Sequence, residues 1–274
     1  MPELPEVETV KEVLKTKILN KKIVDVKIFY EKTIEYPKVD EFKSKIINQQ
    51  IVNIHRRGKW LMFELNDYYL LSHLRMEGKY NIKKTTEALD KHEHVVFVFD
   101  DKEELRYRDT RKFGKMNLVI KKEIYDFPVL KKLGLEPDDD NLTVDYLKSK
   151  YKKKNLPIKS VLLDQQIIVG IGNIYADEIL FLSKINPLKQ AKKLTKQQLQ
   201  LIIDNTRSVL KRAIKAGGTT IRSYTSSEGV HGRFQQELLV HGKENEPCPQ
   251  CNTPIIKIKV GGRGTYYCKN CQKM

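Results

Sequence analysis

Two Cys-x-x-Cys pairs near the end of the chain, Cys248/Cys251 and Cys268/Cys271, constrain its fold more than any other feature. Sixteen residues separate the pairs, a spacing that matches four-thiolate zinc sites, in which two knuckles complete a tetrahedron around one ion. Four protein ligands leave no open coordination position, so a Zn2+ held this way is structural. A redox or disulfide role is the competing reading, and the doubled spacing favours zinc over it. Between the knuckles, Thr253–Val260 and Gly264–Tyr267 read as two strands of a β-hairpin, with Gly261-Gly262 at the turn. Arg263 then sits at the hairpin tip beside three glycines, where the backbone can approach a phosphate closely.

The remaining composition narrows the partner. Lys and Arg number 51 against 35 Asp and Glu, a net charge of +16 and a pI near 9.5. Such an excess points to a polyanion, most simply nucleic acid. At 40% apolar residues the 274-residue chain buries real cores, which excludes a disordered basic tail and suits one large or two ordinary domains. No apolar run approaches the roughly 18–20 residues that span a bilayer, and the start lacks a secretory signal pattern. The expectation is a cytosolic protein, whose thiols stay reduced and available to metal.

The hydrophobic period changes twice. Pro5–Ile18 has Val7, Val10, Leu14 and Ile18 at helical spacing. Short alternating runs follow: Val24–Ile28, Ile51–Ile54, Leu61–Leu65, Tyr69–Leu71, His94–Phe99 and Met116–Ile120, with a short helix expected over Asp40–Ile47. This half reads as a β-sandwich or barrel behind one leading helix. Residues 134–141, charged and Pro-containing, form a break. The period is helical again over Val144–Tyr151, Ile158–Gln166, Ile174–Leu182 and Thr195–Lys215, which Gly217-Gly218 terminates. Residues 219–231 are polar and glycine-containing and read as an exposed loop. The domains expected are therefore 1–133, a linker at 134–141, 142–237, and 238–274.

Several stretches carry chemistry. Removal of Met1 would leave Pro2 with a free secondary amine, and an α-amine titrates at about 7.7–8.0, so a useful fraction is unprotonated near neutrality. Attack by such an amine on a sugar carbon leads to an iminium, and Glu3 beside it supplies a general acid or base. A plain helix start, with Pro and Glu in the first turn, is the simpler reading of the same residues. Gly170-Ile171-Gly172-Asn173 lies between two apolar helical segments, as in a helix-hairpin-helix grip whose backbone N–H groups face a phosphate. The lysine run 152–154 extends a basic track beside it. Ile54–Trp60 concentrates positive side chains around Gly58-Lys59. His73–Gly78 and Arg108–Gly114 place Met76 and Phe113 at glycine turns, positions suited either to core packing or to wedges that unstack bases.

Taken together, Pro2–Thr9, Arg56–Lys59, His73–Gly78, Arg108–Gly114, Leu163–Glu178 and Gly264–Cys271 resemble the bacterial formamidopyrimidine-DNA glycosylases over essentially the whole chain. The resemblance implies an α+β multidomain fold: an N-terminal helix plus β-sandwich, a helical domain with a helix-two-turn-helix, and a C-terminal zinc-finger β-hairpin. It implies a monomer of the bacterial cytoplasm, associated with the nucleoid, acting on double-stranded DNA that contains oxidised purines and holding one structural Zn2+ on Cys248, Cys251, Cys268 and Cys271. The activity implied is that of a bifunctional glycosylase and AP lyase on a flipped nucleotide. By family position, Pro2 is the nucleophile, Glu3 the acid at the sugar oxygen, Lys59 the proton donor of β-elimination and Arg263 that of δ-elimination. Met76, Arg111 and Phe113 match the trio that fills the void, with Arg111 on the orphaned cytosine. His73, His92, Lys153 or Lys154, and Asn173 match DNA contacts, and the 219–231 loop matches the segment that covers the extruded base. The chain has His241 where the family commonly has tyrosine.

Two other functions fit parts of the pattern. An endonuclease VIII-like enzyme shares the architecture and prefers oxidised pyrimidines, but it usually has Gly where this chain has Leu4 and lacks this Met76/Arg111/Phe113 arrangement. A non-catalytic zinc-finger lesion-binding protein would keep the charge and the cysteines without needing Pro2, Glu3 or Lys59.

Overall fold

The structure is a computed structural model and describes residues 1–219 and 232–274. The chain forms two compact units, Met1–Lys131 with Thr219 and Gly232, and Lys132–Gly218 with Arg233–Met274. Apart from Thr219, the expected loop at 219–231 lies outside the described residues.

The first unit opens with α1 (Leu4–Ile18), whose buried stripe Val7, Val10, Leu14 and Ile18 packs against strands β3 (Asn53–Arg57) and β4 (Trp60–Glu64). Lys15 and Lys17 in its last turn suit the negative end of the helix dipole. Strands β1 (Ile23–Ile28), β6 (Lys79–Lys84), β7 (Glu93–Phe99) and β8 (Glu103–Arg108) form one sheet in the order β1-β7-β8-β6. The other sheet has the order β2-β9-β5-β4-β3, where β2 is Ile34–Tyr36, β5 Tyr68–His73 and β9 Lys115–Ile120. Side chains of both sheets, of α1 and of α2 (Val39–Ile46) share one apolar core that includes Phe42, Phe63, Leu70, Phe97 and Leu118.

Three strands escape a reading by alternation, the three-residue β2 among them. Strand β6 is half lysine, and β8 carries Glu104 and Arg106 in the interior, where they pair with each other. Buried charge is costly unless paired, so a pattern reading takes such residues for surface.

A four-residue helix, α3 (Pro128–Lys131), ends the first run of the first unit, and in the second unit α4 (Val144–Tyr151), α5 (Ile158–Leu162), α6 (Asn173–Leu182) and α7 (Lys196–Lys215) follow. Helix α7 starts at a capping box: Thr195 Oγ1 accepts from Gln198 N, and Gln198 Oε1 accepts from Thr195 N, each at 3.2 Å. It ends where Gly217 and Gly218 take φ of +76° and +78°, with Gly218 N donating to Ala213 O. The helix expected over Ile158–Gln166 stops at Leu162. Asp164 Oδ1 accepts Gln166 N, while the Gln165 amide donates to Ile171 O and its carbonyl accepts Gly170 N. These side-chain bonds compete with a continued helix. Arg207 of α7 donates to the carbonyls of Pro137 and Asp139 and so pins the 134–141 segment. The last element is a hairpin of β10 (Ile256–Val260) and β11 (Arg263–Tyr267), which packs against α6.

Candidate nucleic-acid interface and catalytic N-terminus

The first unit gathers charge around the amino terminus. Glu3, buried at 2% exposure, precedes α1, and its N–H donates to Glu6 Oε2 at 2.8 Å. Glu6, also buried, uses Oε1 to accept Thr219 N at 2.8 Å and Thr219 Oγ1 at 3.1 Å. Burial lowers the pKa of the α-amine at Met1, against the upward pull of Glu3 and Glu6; Lys59 lowers it further and Glu77 raises it. Carboxylates and one lysine from three separate elements therefore act on the chain's first nitrogen. Pro2 is itself buried.

Lys59 owes its place to a two-residue turn. Arg57 pairs with Trp60 across β3 and β4, leaving Gly58-Lys59 at the bend, and Gly58 takes φ +56° as such a turn requires. Arg56 braces it, with Nε on Glu8 Oε2 of α1 at 2.7 Å and Nη1 on Gly58 O at 3.0 Å. Burial would raise the Glu8 carboxyl, but hydrogen bonds from Lys11 and Arg56 hold it below the usual carboxylate range. Lys59 is only 7% exposed.

Four of the remaining first-unit residues stand on two turns. In the first turn, His73 packs edge-on to Trp60 at 4.8 Å, and its Nδ1 accepts Arg75 N at 3.0 Å. Burial first, then the charges of Arg75 and Lys59, push its pKa down to about 3. A neutral ring whose Nδ1 accepts carries its proton on Nε2, which makes His73 a donor suited to a phosphate oxygen. Met76 is half-buried in the same turn. In the second turn Arg111 is exposed and lies over the Phe113 ring at 4.8 Å, and Phe113 is 48% exposed. The two turns meet where Thr110 Oγ1 donates to Glu77 Oε2. His92 is half-buried beside them, its carbonyl accepting Asp109 N at 3.0 Å.

The second unit holds the other expected contacts. Asn173 begins α6; its Nδ2 donates to Gly264 O at 3.0 Å, and its Oδ1 is buried without a hydrogen-bond partner. That bond fastens the helix start to the hairpin. Gly261 takes φ +55° in the hairpin turn, and a Cβ there would meet Ser160 Oγ of α5 at 2.8 Å. Arg263 opens β11 and is exposed. Lys153 is exposed, whereas Lys154 pairs with Asp164 at 3.2 Å. Below them Lys159 and Asp177 form an ion pair with both side chains fully buried, and His241 Nδ1 lies 2.7 Å from the other Asp177 oxygen. Glu178 accepts the N–H groups of Leu239, Val240 and His241, and burial raises its pKa against those bonds.

The four cysteines converge. Their sulfurs all lie within 4.8 Å of one another, with Cys248 to Cys271 at 3.9 Å and Cys251 to Cys268 at 3.5 Å. Tetrahedral Zn–S bonds of about 2.3 Å put sulfurs about 3.8 Å apart, so the separations fit one zinc ion and exceed a disulfide bond. All four thiols are free, and Phe181, Val240 and Ile255 pack around them. The chain's cofactor is one structural Zn2+.

Residues 1–116 match the formamidopyrimidine-DNA glycosylase N-terminal domain, 133–225 the H2TH domain of the same glycosylases, and 245–273 a zinc finger found in FPG and IleRS. The chain belongs to the formamidopyrimidine-DNA glycosylase family. Curated relatives of that name include one from Bacillus licheniformis, 49% identical over all of both chains. Another, from Oceanobacillus iheyensis, is 48% identical over 99% of this chain and 98% of its own. Among solved structures, a Lactococcus lactis FPG mutant bound to Fapy-dG-containing DNA is 39% identical, with a TM-score of 0.94 over the whole of both chains. The Lactococcus lactis protein with abasic-site DNA gives 0.93 over 99% of this chain, at 39% identity. The α+β architecture expected from the resemblance, sandwich, helical domain and zinc hairpin, is the one found. No helix among the described residues is long and apolar enough to cross a membrane.

Reading the sequence missed the supporting acids. In the sequence Glu6 is one more glutamate in the first turn of a helix, and Asp177 and Glu178 simply fall at the end of the Leu163–Glu178 run. A glutamate at helical spacing gives no sign of burial; what distinguishes these is the backbone donors that reach them.

Proposed function

We propose that the chain is a bifunctional DNA glycosylase and AP lyase of base-excision repair that removes oxidised purines, 8-oxoguanine and formamidopyrimidines, from double-stranded DNA. The observation that carries the reading is the setting of the amino terminus: Pro2 and Glu3 are buried at the start of α1, Glu3 N is held by Glu6, and Lys59 and Glu77 act on the same end of the chain. Once Met1 is removed, the Pro2 amine attacks C1′ of the flipped nucleotide, and the bond to the damaged base breaks as the base departs with a proton. Glu3 protonates the ring oxygen, the sugar opens, and an iminium remains on Pro2. Loss of the acidified C2′ proton expels the 3′ phosphate, with Lys59 as proton donor, and δ-elimination assisted by Arg263 expels the 5′ phosphate. Hydrolysis of the Schiff base then frees Pro2.

Met76, Arg111 and Phe113 fill the vacated stack. His73, His92, Asn173 and Lys153, with Lys154 behind it, contact the DNA backbone, where neutral Nε2–H of His73 and the start of α6 suit phosphate. The chain divides at 1–133, 134–141, 142–237 and 238–274, works as a monomer in the bacterial cytoplasm at the nucleoid, and uses residues 219–231 over the extruded base. Solved Lactococcus lactis complexes contain Fapy-dG, abasic and oxidised-pyrimidine DNA, and the first two support this substrate class.

Borohydride trapping tests the reading, using duplexes with 8-oxoguanine opposite cytosine and with an oxidised pyrimidine, followed by peptide mapping. A covalent adduct on Pro2 that favours the 8-oxoguanine duplex is expected. Preference for the pyrimidine duplex moves the chain to the endonuclease VIII-like specificity. Tight binding without adduct or cleavage leaves a lesion-binding protein and ends the proposal.

A further inference from the structure

We propose that Tyr107 and Asp109 are positioning residues that lock the two void-filling turns into one preformed wedge, and so set the discrimination of the base opposite the lesion. The inference rests on the assignment of Met76, Arg111 and Phe113 made above.

Asp109 has 0% exposure at the end of β8. Its Oδ1 accepts the N–H of Arg111 at 3.0 Å, and its Oδ2 accepts those of Phe113 at 2.9 Å and Gly114 at 2.8 Å. One buried carboxylate thus holds three of the five backbone donors after it in sequence, including those of both residues offered to the DNA. Its own N–H and carbonyl are fixed as well, on His92 O at 3.0 Å and on His94 Nε2 at 2.8 Å. Charge-assisted bonds of this kind are the strong ones, and three converging on a buried anion leave the 109–114 turn little freedom. The turn needs such support because Lys112 takes φ +58°, a conformation that a non-glycine residue adopts only under constraint.

Tyr107 extends the lock to the other turn. Its hydroxyl lies 3.3 Å from Asp109 Oδ2. A Cβ at Gly114 would sit 1.6 Å from that oxygen, and one at Gly78 would sit 2.3 Å from it. Both turns therefore close directly over one phenolic oxygen, and each ends in glycine because no side chain fits there. Gly78 N in turn donates to Leu74 O at 2.9 Å, closing the turn that carries Met76. With the Thr110–Glu77 bond, Met76, Arg111 and Phe113 stand on a single fixed base. Inserting side chains into a base stack costs unstacking energy, and a wedge already ordered adds no further ordering cost at that step.

The test uses the full-length, zinc-loaded protein with Asp109→Asn, Tyr107→Phe and, as a control, Arg111→Ala. Asn cannot accept at both former oxygens, so one bank of turn amides loses its partner. Excision of 8-oxoguanine is measured opposite cytosine and opposite adenine, together with amide exchange at Phe113 and Gly114. Asp109→Asn is expected to lower the cytosine preference at least about tenfold and to speed exchange at those amides by a similar factor. Tyr107→Phe, which removes only the hydroxyl, lowers the preference by about threefold. Borohydride trapping on a duplex with a preformed abasic site stays close to wild type in both variants. Should Asp109→Asn fail to fold, Tyr107→Phe decides alone, by the same preference and exchange. If the preference holds in both variants while Arg111→Ala abolishes it, the lock is wrong and the trio stands. If Arg111→Ala also leaves it unchanged, the trio assignment fails and takes this proposal with it.

Discussion

Replacing Glu6 by glutamine probes how the amino terminus, the proposed nucleophile, is held. Glu6 accepts Glu3 N through Oε2 and Thr219 N and Oγ1 through Oε1, in a site only 3% exposed. Glutamine keeps the shape and the helix propensity but offers one acceptor oxygen. Whichever side keeps that oxygen, the other faces an amide NH2, so a buried N–H confronts a second donor. The loss of a charge-assisted bond with its donor left buried costs about 1.5–3 kcal/mol. At about 1.4 kcal/mol per decade, that corresponds to a tenfold to hundredfold loss of molecules with Glu3 correctly held. Single-turnover excision on an 8-oxoguanine:cytosine duplex should fall by that factor, while affinity for a duplex with a stable abasic analogue changes little. Thr219→Val, which removes only the 3.1 Å hydroxyl bond, should cost less than about fivefold. A folded Glu6→Gln protein that excises within about twofold of wild type would show that Glu6 does not hold the reacting end.

Further outcomes concern stability. Lys159→Met removes one member of the fully buried ion pair with Asp177 and should cost about 3 kcal/mol, the low end of the 3–5 range because His241 still faces Asp177. Urea melts read it, and Lys159→Met/Asp177→Leu should recover most of the loss, since two apolar side chains leave no unpaired buried charge. His73 has a folded pKa of about 3 against an ordinary 6.5, so between those values the unfolded chain binds a proton that the native ring refuses. Stability therefore falls as pH drops through that window, and His73→Gln should show a shallower acid loss; equal slopes in denaturation at pH 7 and pH 4 would refute it. Zinc removal under reducing conditions should release one ion per chain and lower both the melting temperature and lesion-DNA affinity. Unchanged melting would contradict a structural site.

Much of the architecture is legible without coordinates because period and punctuation are local properties. The stripe from Val7 to Ile18 and the helical run from Thr195 to Lys215 mark helices within a residue or so of their observed ends. The cysteine spacing identifies the metal because knuckle geometry is set by a few bonds. Strand β6 reads as surface because half of it is lysine, and β8 because its buried Arg106 is satisfied mostly from other elements, donating to Glu93 and to the carbonyls of Lys84, Glu87 and Ala88. Helix α5 ends at Leu162, short of the expected Gln166, because Gln165 satisfies backbone groups that only the fold presents to it.

Sequence alone determined the metal ligands, the order of sheet, helices and hairpin, the basic character that selects a polyanion, and the family. Tertiary structure decided which acids are buried and what they hold: Glu6 the start of α1, Asp109 the turn of Arg111 and Phe113, and Glu178 the entry to the cysteine module. The reason is physical. Helix period and knuckle spacing are fixed within a few residues by covalent geometry. A carboxylate's role depends on the donors brought to it, and for Glu6 and Thr219 those groups stand 213 residues apart.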